Sequence, residues 1–338
     1  AWLSSYIIHY ANNLRKKNDD LKVGGHQASC ASVISILVVL YFKILNKHDR
    51  IAIKPHASPV FHAIQYLLGN QTLDNLKNFR KLNGAQAYPS STKDYCDVDF
   101  STGSVGLGGA MTIFSSFTQD YLKENNLLNV PVNKMVAIFG DAELDEGNIY
   151  EALLEGAKHN LKNCWWIIDY NRQSLDGIIQ GKLFEKIISL FRLMGWNVEI
   201  LKYGKKLQNL NELNAGKKIL KWIDDCPNDL FSALTYQGGK EWRKTLNSFF
   251  KNDKDIKNLI KKYNDEGLHS LMTNLAGHDL ISLEEAFLKH KSSQVPTCFI
   301  CYTVKGFGLP LAGHKDNHAG IMNMDQFSNY QKIMNINT

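Results

Sequence analysis

Asp141 and Asn171 are the residues whose type and spacing point most directly to chemistry. Each follows a short apolar run: MVAIF (135–139) leads into GDAELDEG (140–147), and CWWIID (164–169) leads into DYNRQSLDG (169–177). A carboxylate and an amide oxygen are hard donors. They suit Mg²⁺ or Ca²⁺, with a backbone carbonyl, phosphate oxygens and water completing the shell. Taken singly, each has a plainer explanation, because Asp after Gly at a strand end is common and Asx side chains cap helices. A third polar cluster, TVKGFG (303–308), follows the last apolar run. His26 and His56 stand in GGHQAS (24–29) and KPHASP (54–59). Imidazole can donate or accept a proton near neutral pH, although a lone loop histidine is more often structural or simply exposed.

The elements around these residues explain how they can meet. Strand 135–139, helix 149–161 and strand 164–169 form a βαβ unit, which implies a parallel pair and a right-handed crossover. In open parallel sheets, ligands bind at the carboxyl ends of the strands. The two strands are adjacent or one apart, and adjacent strands lie about 4.8 Å apart, so Asp141 and Asn171 can converge. A helix starting near Gly147 aims its N-terminus at the same place, which favours an anion. Further helices are expected at 33–45, at 60–82 from the spacing of Ile64, Leu67, Leu68, Leu73, Leu76 and Phe79, from the Gly-rich 101–110 to about 124, at 183–194 and at 283–290. Further strands are expected at 52–53, 196–201 and 296–304. Residues 204–270 are Lys/Asn-rich and read as a mostly helical, peripheral insertion. The economical architecture is one α/β domain over 1–338: a doubly wound, mostly parallel sheet with helices on both faces.

Composition narrows the function classes. The chain is 44% hydrophobic and 21% charged, with a net charge of +6 spread so that no run reaches five like charges. That reads as a solvated surface and argues against a nucleic-acid partner. The longest apolar run, 33–42, is interrupted by Ser35 and too short to span a bilayer, and no signal peptide is visible, so no membrane partner is expected. Of six scattered cysteines only Cys298 and Cys301 form a CxxC, and it lies in a strand that sends them to opposite faces. Free thiols in a reducing compartment follow, in the cytoplasm or a reducing organelle interior. Residues 103–109 do not spell GxGxxG, and 177–183 misses the P-loop spacing, which sets aside Rossmann dehydrogenases and P-loop NTPases.

The sequence GDxE, with an Asn 30 residues after the Asp and a buried strand before each, resembles the thiamine-diphosphate signature. The flanking segments GGHQAS (24–29), PHASP (55–59), STGSVGLG (101–108), EGNIYEAL (146–153), SLDG (174–177), AGHD (276–279) and TVKGFG (303–308) occur in family order over nearly the whole chain. The set resembles the N-terminal domain of transketolase and of the homodimeric-type pyruvate dehydrogenase decarboxylase component. GWNVEIL, NFRKLNG with AYP, and LAGHD lean toward the dehydrogenase component; EGxxxEAL leans toward transketolase.

That resemblance implies thiamine diphosphate and Mg²⁺ as cofactors. It implies that Asp141, Asn171 and the carbonyl of Gln173 hold the metal, and that Gly140, Asp141, Ala142 and Glu143 form the diphosphate turn. Ser104, Val105, Gly106 and Leu107 match the segment that meets the thiamine rings, and His26 and His56 match histidines near the reacting carbon. Lys305 and His318, or His314 in its place, match a loop near diphosphate and substrate. Two positions depart from the pattern: Ala142 stands where the family usually has Gly, and Ser90 follows Tyr88–Pro89 where the dehydrogenase component has His. The implied reaction is decarboxylation of pyruvate with acyl transfer to a lipoyl domain. The alternatives are transfer of a two-carbon ketol unit, or a degenerate scaffold without catalysis. The family's activating Glu belongs to a second, pyrimidine-binding domain, expected here on a partner or a missing chain segment in a homo- or hetero-oligomer.

Overall fold

The computed structural model describes residues 1–16, 21–127, 129, 133–171, 173–174, 177–178 and 181–336. Its centre is a five-stranded parallel sheet of β1 (Arg50–Ala52), β2 (Met135–Gly140), β3 (Cys164–Tyr170), β6 (Asn197–Leu201) and β7 (Thr297–Tyr302), in the order β1-β2-β3-β7-β6. The two-residue strands β4 (Gln173–Ser174) and β5 (Gly177–Ile178) pair antiparallel just beyond β3. β2, β3 and β7 are almost wholly buried and read as continuous apolar runs, as strands covered on both sides must.

Alternation along these strands feeds two cores. Val136, Ile138, Trp165, Ile167, Phe299 and Cys301 face one way. There they pack on α1 (Trp2–His9), α2 (Gln27–Val39), α3 (Ser58–Leu67) and α14 (Leu280–His290). Ala137, Phe139, Trp166, Ile168, Cys298 and Ile300 face the other way. They pack on α5 (Leu107–Glu124), α6 (Gly147–Lys158) and α7 (Gly181–Leu193). The sheet is therefore doubly wound, with Cys298 and Cys301 on opposite faces and all six thiols buried.

Between β6 and β7 the chain makes an excursion through α8 (Lys205–Leu210), α9 (Asn214–Asp225), α10 (Asn228–Gln237), α11 (Gly239–Phe249), α12 (Lys254–Lys261) and α13 (Asp265–Met272). These helices enclose a separate core around Trp222, Phe231, Trp242 and Ile256. The excursion leaves and returns at one point, where Gly204 N–H donates to Asn274 O at 2.8 Å and Tyr203 bridges Leu275.

Two expectations change. The 60–82 helix is two pieces: α3 stops at Leu67, and α4 (Leu73–Lys77) starts anew. Gly69 takes φ +81°, which ends a helix readily, and Thr72 caps α4 by accepting from Asn75 N–H at 3.2 Å. Leu67, Leu68 and Leu73 are exposed, so the helical spacing joined residues of unrelated faces. The helix expected at 33–45 begins at Gln27 and continues in π-helical turns to Ile44. The combined 18 residues have a mean hydropathy of 1.8 and are long and apolar enough to cross a membrane, but two-thirds of the stretch is buried inside the protein.

Candidate functional site

The carboxyl ends of β1, β2, β3 and β7 open onto one cleft of about 310 Å³, lined by Lys54, His56, Ser104, Gly140, Asp141, Ala142, Glu143, Asn171, Lys305 and His318 among others. The two central strands are adjacent, with Gly140 opposite Asp169. Asp141 and Asn171 thus stand one and two residues past the paired ends, both buried and both on the cleft wall. Gln173 begins β4 and pairs with Ile178. Leu175 and Asp176 of the SLDG segment lie outside the described residues.

The β2 loop forms a 3-10 turn, Asp141–Asp145. Ala142 sits in it with a negative φ, so its methyl group brings no backbone strain. Glu143 points back rather than outward. Its carboxylate accepts Gly140 N–H at 3.2 Å and Gly106 N–H at 3.3 Å, which ties the β2 turn to the Gly-rich loop. Burial raises its pKa above the ordinary carboxylate value, although those N–H groups and Lys54 oppose the shift. Asn148 of α6 donates to Val105 O at 2.7 Å and secures the same loop. Val105 and Leu107 are exposed, whereas the Ser104 hydroxyl oxygen is buried without a hydrogen-bond partner.

Three histidines gather from distant parts of the chain. His26 immediately precedes α2, after Gly25, whose φ is +136° and where a Cβ would lie 2.8 Å from Ile8. His56 occupies a 3-10 turn whose first residue is Pro55. Asn317 brings in His318 by donating to the carbonyls of Lys305 (3.0 Å) and Leu311 (3.3 Å). The His26 and His56 rings stack at 4.2 Å, and His318 lies 5.0 and 5.5 Å from them. Burial, then the neighbouring imidazoles and cations, depress His26 to about 4 and His56 to about 3, so both are neutral at neutral pH. Lys305 Nζ is 3.1 Å from His318 Nδ1. His314, the other reading of that loop, instead meets Tyr236 at 4.7 Å. Ser90 is absent from the cleft lining among the described residues, and its N–H donates to Asp94 at 2.8 Å.

Sequence reasoning missed a buried ion pair whose lysine lines the cleft. Lys54 Nζ contacts Asp169 Oδ2 at 2.6 Å, with the two residues 7% and 0% exposed. Asp169 also accepts from Ser32 at 2.6 Å and from Thr303 at 2.5 Å. Burial alone would neutralise both groups. Their mutual charge and hydrogen bonds outweigh it, holding the Lys54 pKa up and the Asp169 pKa down. The signal was present in the sequence, since a carboxylate inside the apolar strand CWWIIDY needs a buried partner. Behind the cleft, His278 Nε2 accepts Val304 N–H at 2.7 Å and its ring stacks on Phe307 at 3.8 Å.

These residues fit a diphosphate group held through a divalent cation. Asp141 and Asn171 supply hard oxygens, Lys54 and Lys305 supply positive charge, and Ser104 supplies an unused buried hydroxyl.

The family described as "Transketolase, thiamine diphosphate binding domain" matches residues 24–220. The chain is 28% identical to the pyruvate dehydrogenase E1 component of Escherichia coli, over 96% of its own length and 38% of that protein. It is 28% identical to that of Cupriavidus necator, over 90% of itself and 35% of the relative. The chain therefore spans little more than a third of the length of these curated relatives. Among solved structures, transketolase from Campylobacter jejuni superposes with a TM-score of 0.66 at 21% identity, covering 99% of this chain and 41% of that one. Transketolase from Leishmania mexicana gives 0.65 at 17% identity, covering 99% and 40%.

Proposed function

Because the chain belongs to the transketolase thiamine-diphosphate-binding domain family, we propose that it is the diphosphate- and metal-binding half of a 2-oxo-acid decarboxylase of the pyruvate dehydrogenase type. The observation that carries this reading is the convergence of Asp141 and Asn171 on one cleft with His56 and His318, on which His26 packs. The similarity to pyruvate dehydrogenase E1 components over 90% or more of the chain favours pyruvate as the substrate. Acyl transfer to a lipoyl domain would follow decarboxylation. The EGNIYEAL segment supports a second reading, ketol transfer of the transketolase kind.

When bound, thiamine diphosphate supplies a nucleophilic ring carbon and an electron sink for C–C cleavage. Asp141 and Asn171, with the Gln173 carbonyl, would hold Mg²⁺, which would supply positive charge to the diphosphate. Lys305 would neutralise further diphosphate charge while donating to His318 Nδ1. His26 and His56, neutral at working pH, are suited to donate a hydrogen bond to a substrate carbonyl oxygen or to move a proton. Glu143 keeps the two cofactor loops in register. Activation of the cofactor's pyrimidine ring would come from a partner domain, with the cleft at the interface. A reducing compartment such as the cytoplasm suits the six buried free thiols.

Calorimetric titration of thiamine diphosphate with Mg²⁺ tests the proposal. Binding should require the metal for full affinity and should fall in Asp141→Ala to the metal-free level, with folding checked by circular dichroism. Binding that survives this substitution unchanged would overturn the metal assignment. With a pyrimidine-binding domain supplied, CO₂ release from pyruvate separates the decarboxylase from a ketol transferase, which would instead turn over a ketose phosphate.

A further inference from the structure

We propose that Lys54 is a built-in cation for the diphosphate site, one that takes over part of the charge neutralisation otherwise left to the divalent metal. The inference rests on the diphosphate-binding reading above. Lys54 stands at the carboxyl end of β1 on the cleft wall, beside Asp141 and Asn171. It lies directly under the diphosphate turn, since a Cβ on Gly140 would come within 3.3 Å of its Nζ. Its charge acts on Asp141 and Glu143 as well as on its partner Asp169. Asp169 lies deeper, fully buried, with its oxygens occupied by Lys54, Ser32 and Thr303. The pair is therefore a fixed dipole with its positive end toward the cleft.

Stability does not account for this arrangement. A buried ion pair is often no better than an apolar or neutral pair of similar shape, because desolvation offsets the attraction. A fixed ammonium in a low-dielectric cleft, in contrast, attracts an anion strongly and repels a second cation from the same place. Lys54 should thus raise the affinity for diphosphate in the absence of metal and lower the affinity of the Asp141–Asn171 position for free Mg²⁺. Asp169 acts through Lys54 by holding its Nζ under the turn, and is a positioning residue.

The test uses the whole chain and two probes, thiamine diphosphate and inorganic pyrophosphate, titrated calorimetrically in EDTA and in Mg²⁺. Lys54→Arg keeps the charge. Lys54→Gln with Asp169→Asn replaces the ion pair by a neutral hydrogen-bonded pair, so that no buried charge is left alone and the fold can be checked by thermal melting. Wild type and Lys54→Arg should retain measurable binding of both probes in EDTA. The double variant should lose roughly tenfold or more of it, a change that about 1.4 kcal/mol produces. It should also bind Mg²⁺ alone more tightly than wild type. Equal metal-free binding in Lys54→Arg and the folded double variant would reduce the pair to a structural brace and overturn the inference, as would strict metal dependence in wild type. Either result leaves the diphosphate-site reading standing, whereas no binding of either probe even with Mg²⁺ would overturn both.

Discussion

Glu143 shows how much one side chain can decide in this site. The family resemblance places it in the diphosphate turn. Its two oxygens accept the N–H groups of Gly140 and Gly106 and so join the β2 turn to the Gly-rich loop. Glu143→Gln keeps one acceptor and presents an amide N–H₂ to the other N–H, leaving a buried donor unpaired. The expected cost is about 1–3 kcal/mol of stability, read as a lower urea midpoint, together with weaker thiamine diphosphate binding. An unchanged midpoint would show that water replaces the lost acceptor. At this scale the sequence was partly legible. Asp141, Asn171, His26, His56, Lys305 and His318 all line or border the cleft. The carboxylate of Asp169 in an apolar strand calls for a buried partner, but a lysine beside Pro55 looks unremarkable until their separation of 2.6 Å is known. Nothing local distinguishes His318 from His314; the choice comes from Asn317, which folds the loop back on Lys305.

At the scale of elements, the start of α5 is a tight point beside the cleft. Gly106 precedes the helix with φ +75°, and a Cβ there would lie 2.8 Å from Ile149 of α6. Gly106→Ala should therefore lose about 1–2 kcal/mol to left-handed backbone strain and push the 104–107 loop off α6. A matching fall in thermal midpoint and in cofactor affinity is expected; a drop in affinity with no change in melting would place the effect in the loop alone. The βαβ unit from β2 to β3 was readable because both strands are continuous apolar runs with a helix between them. α3 and α4 were not separable by periodicity, since Leu67, Leu68 and Leu73 keep helical spacing while facing solvent. Gly69 and the Thr72 cap carried the break.

For the molecule as a whole, buried neutral histidine sets a pH dependence. His278 is held at about 3 by burial, against 6.5 for an ordinary imidazole. Because the folded value lies below the unfolded one, the unfolded chain takes up the proton first as pH falls. Stability is complete above about pH 6.5 and declines from there toward pH 3, by up to about 1.4 kcal/mol per pH unit for this group, less any screening at its solvent-facing edge. Protonation would also end its acceptance of Val304 N–H, which anchors the 303–308 loop. Thermal melting between pH 7 and 5 should show a shallower decline in His278→Gln, which keeps an acceptor without titrating. Identical slopes would move the pH sensitivity to other groups, His26 and His56 first. The ion pair of Lys54 and Asp169 weakens only below the ordinary carboxylate range, because the Asp169 pKa is depressed.

What the sequence by itself determined is the alternation of apolar strands with helices and the polar residues that close each strand. Those follow from local composition: buried parallel strands must be apolar throughout, and their carboxyl ends must change character where the chain leaves the sheet. Tertiary structure alone decided which of those ends are neighbours, which histidine enters the cleft, and that a lysine just past β1 meets an aspartate from β3. Those pairings join residues far apart in the chain, 115 positions in the Lys54–Asp169 bond, and depend on strand order and loop closure. No pattern within one segment specifies them.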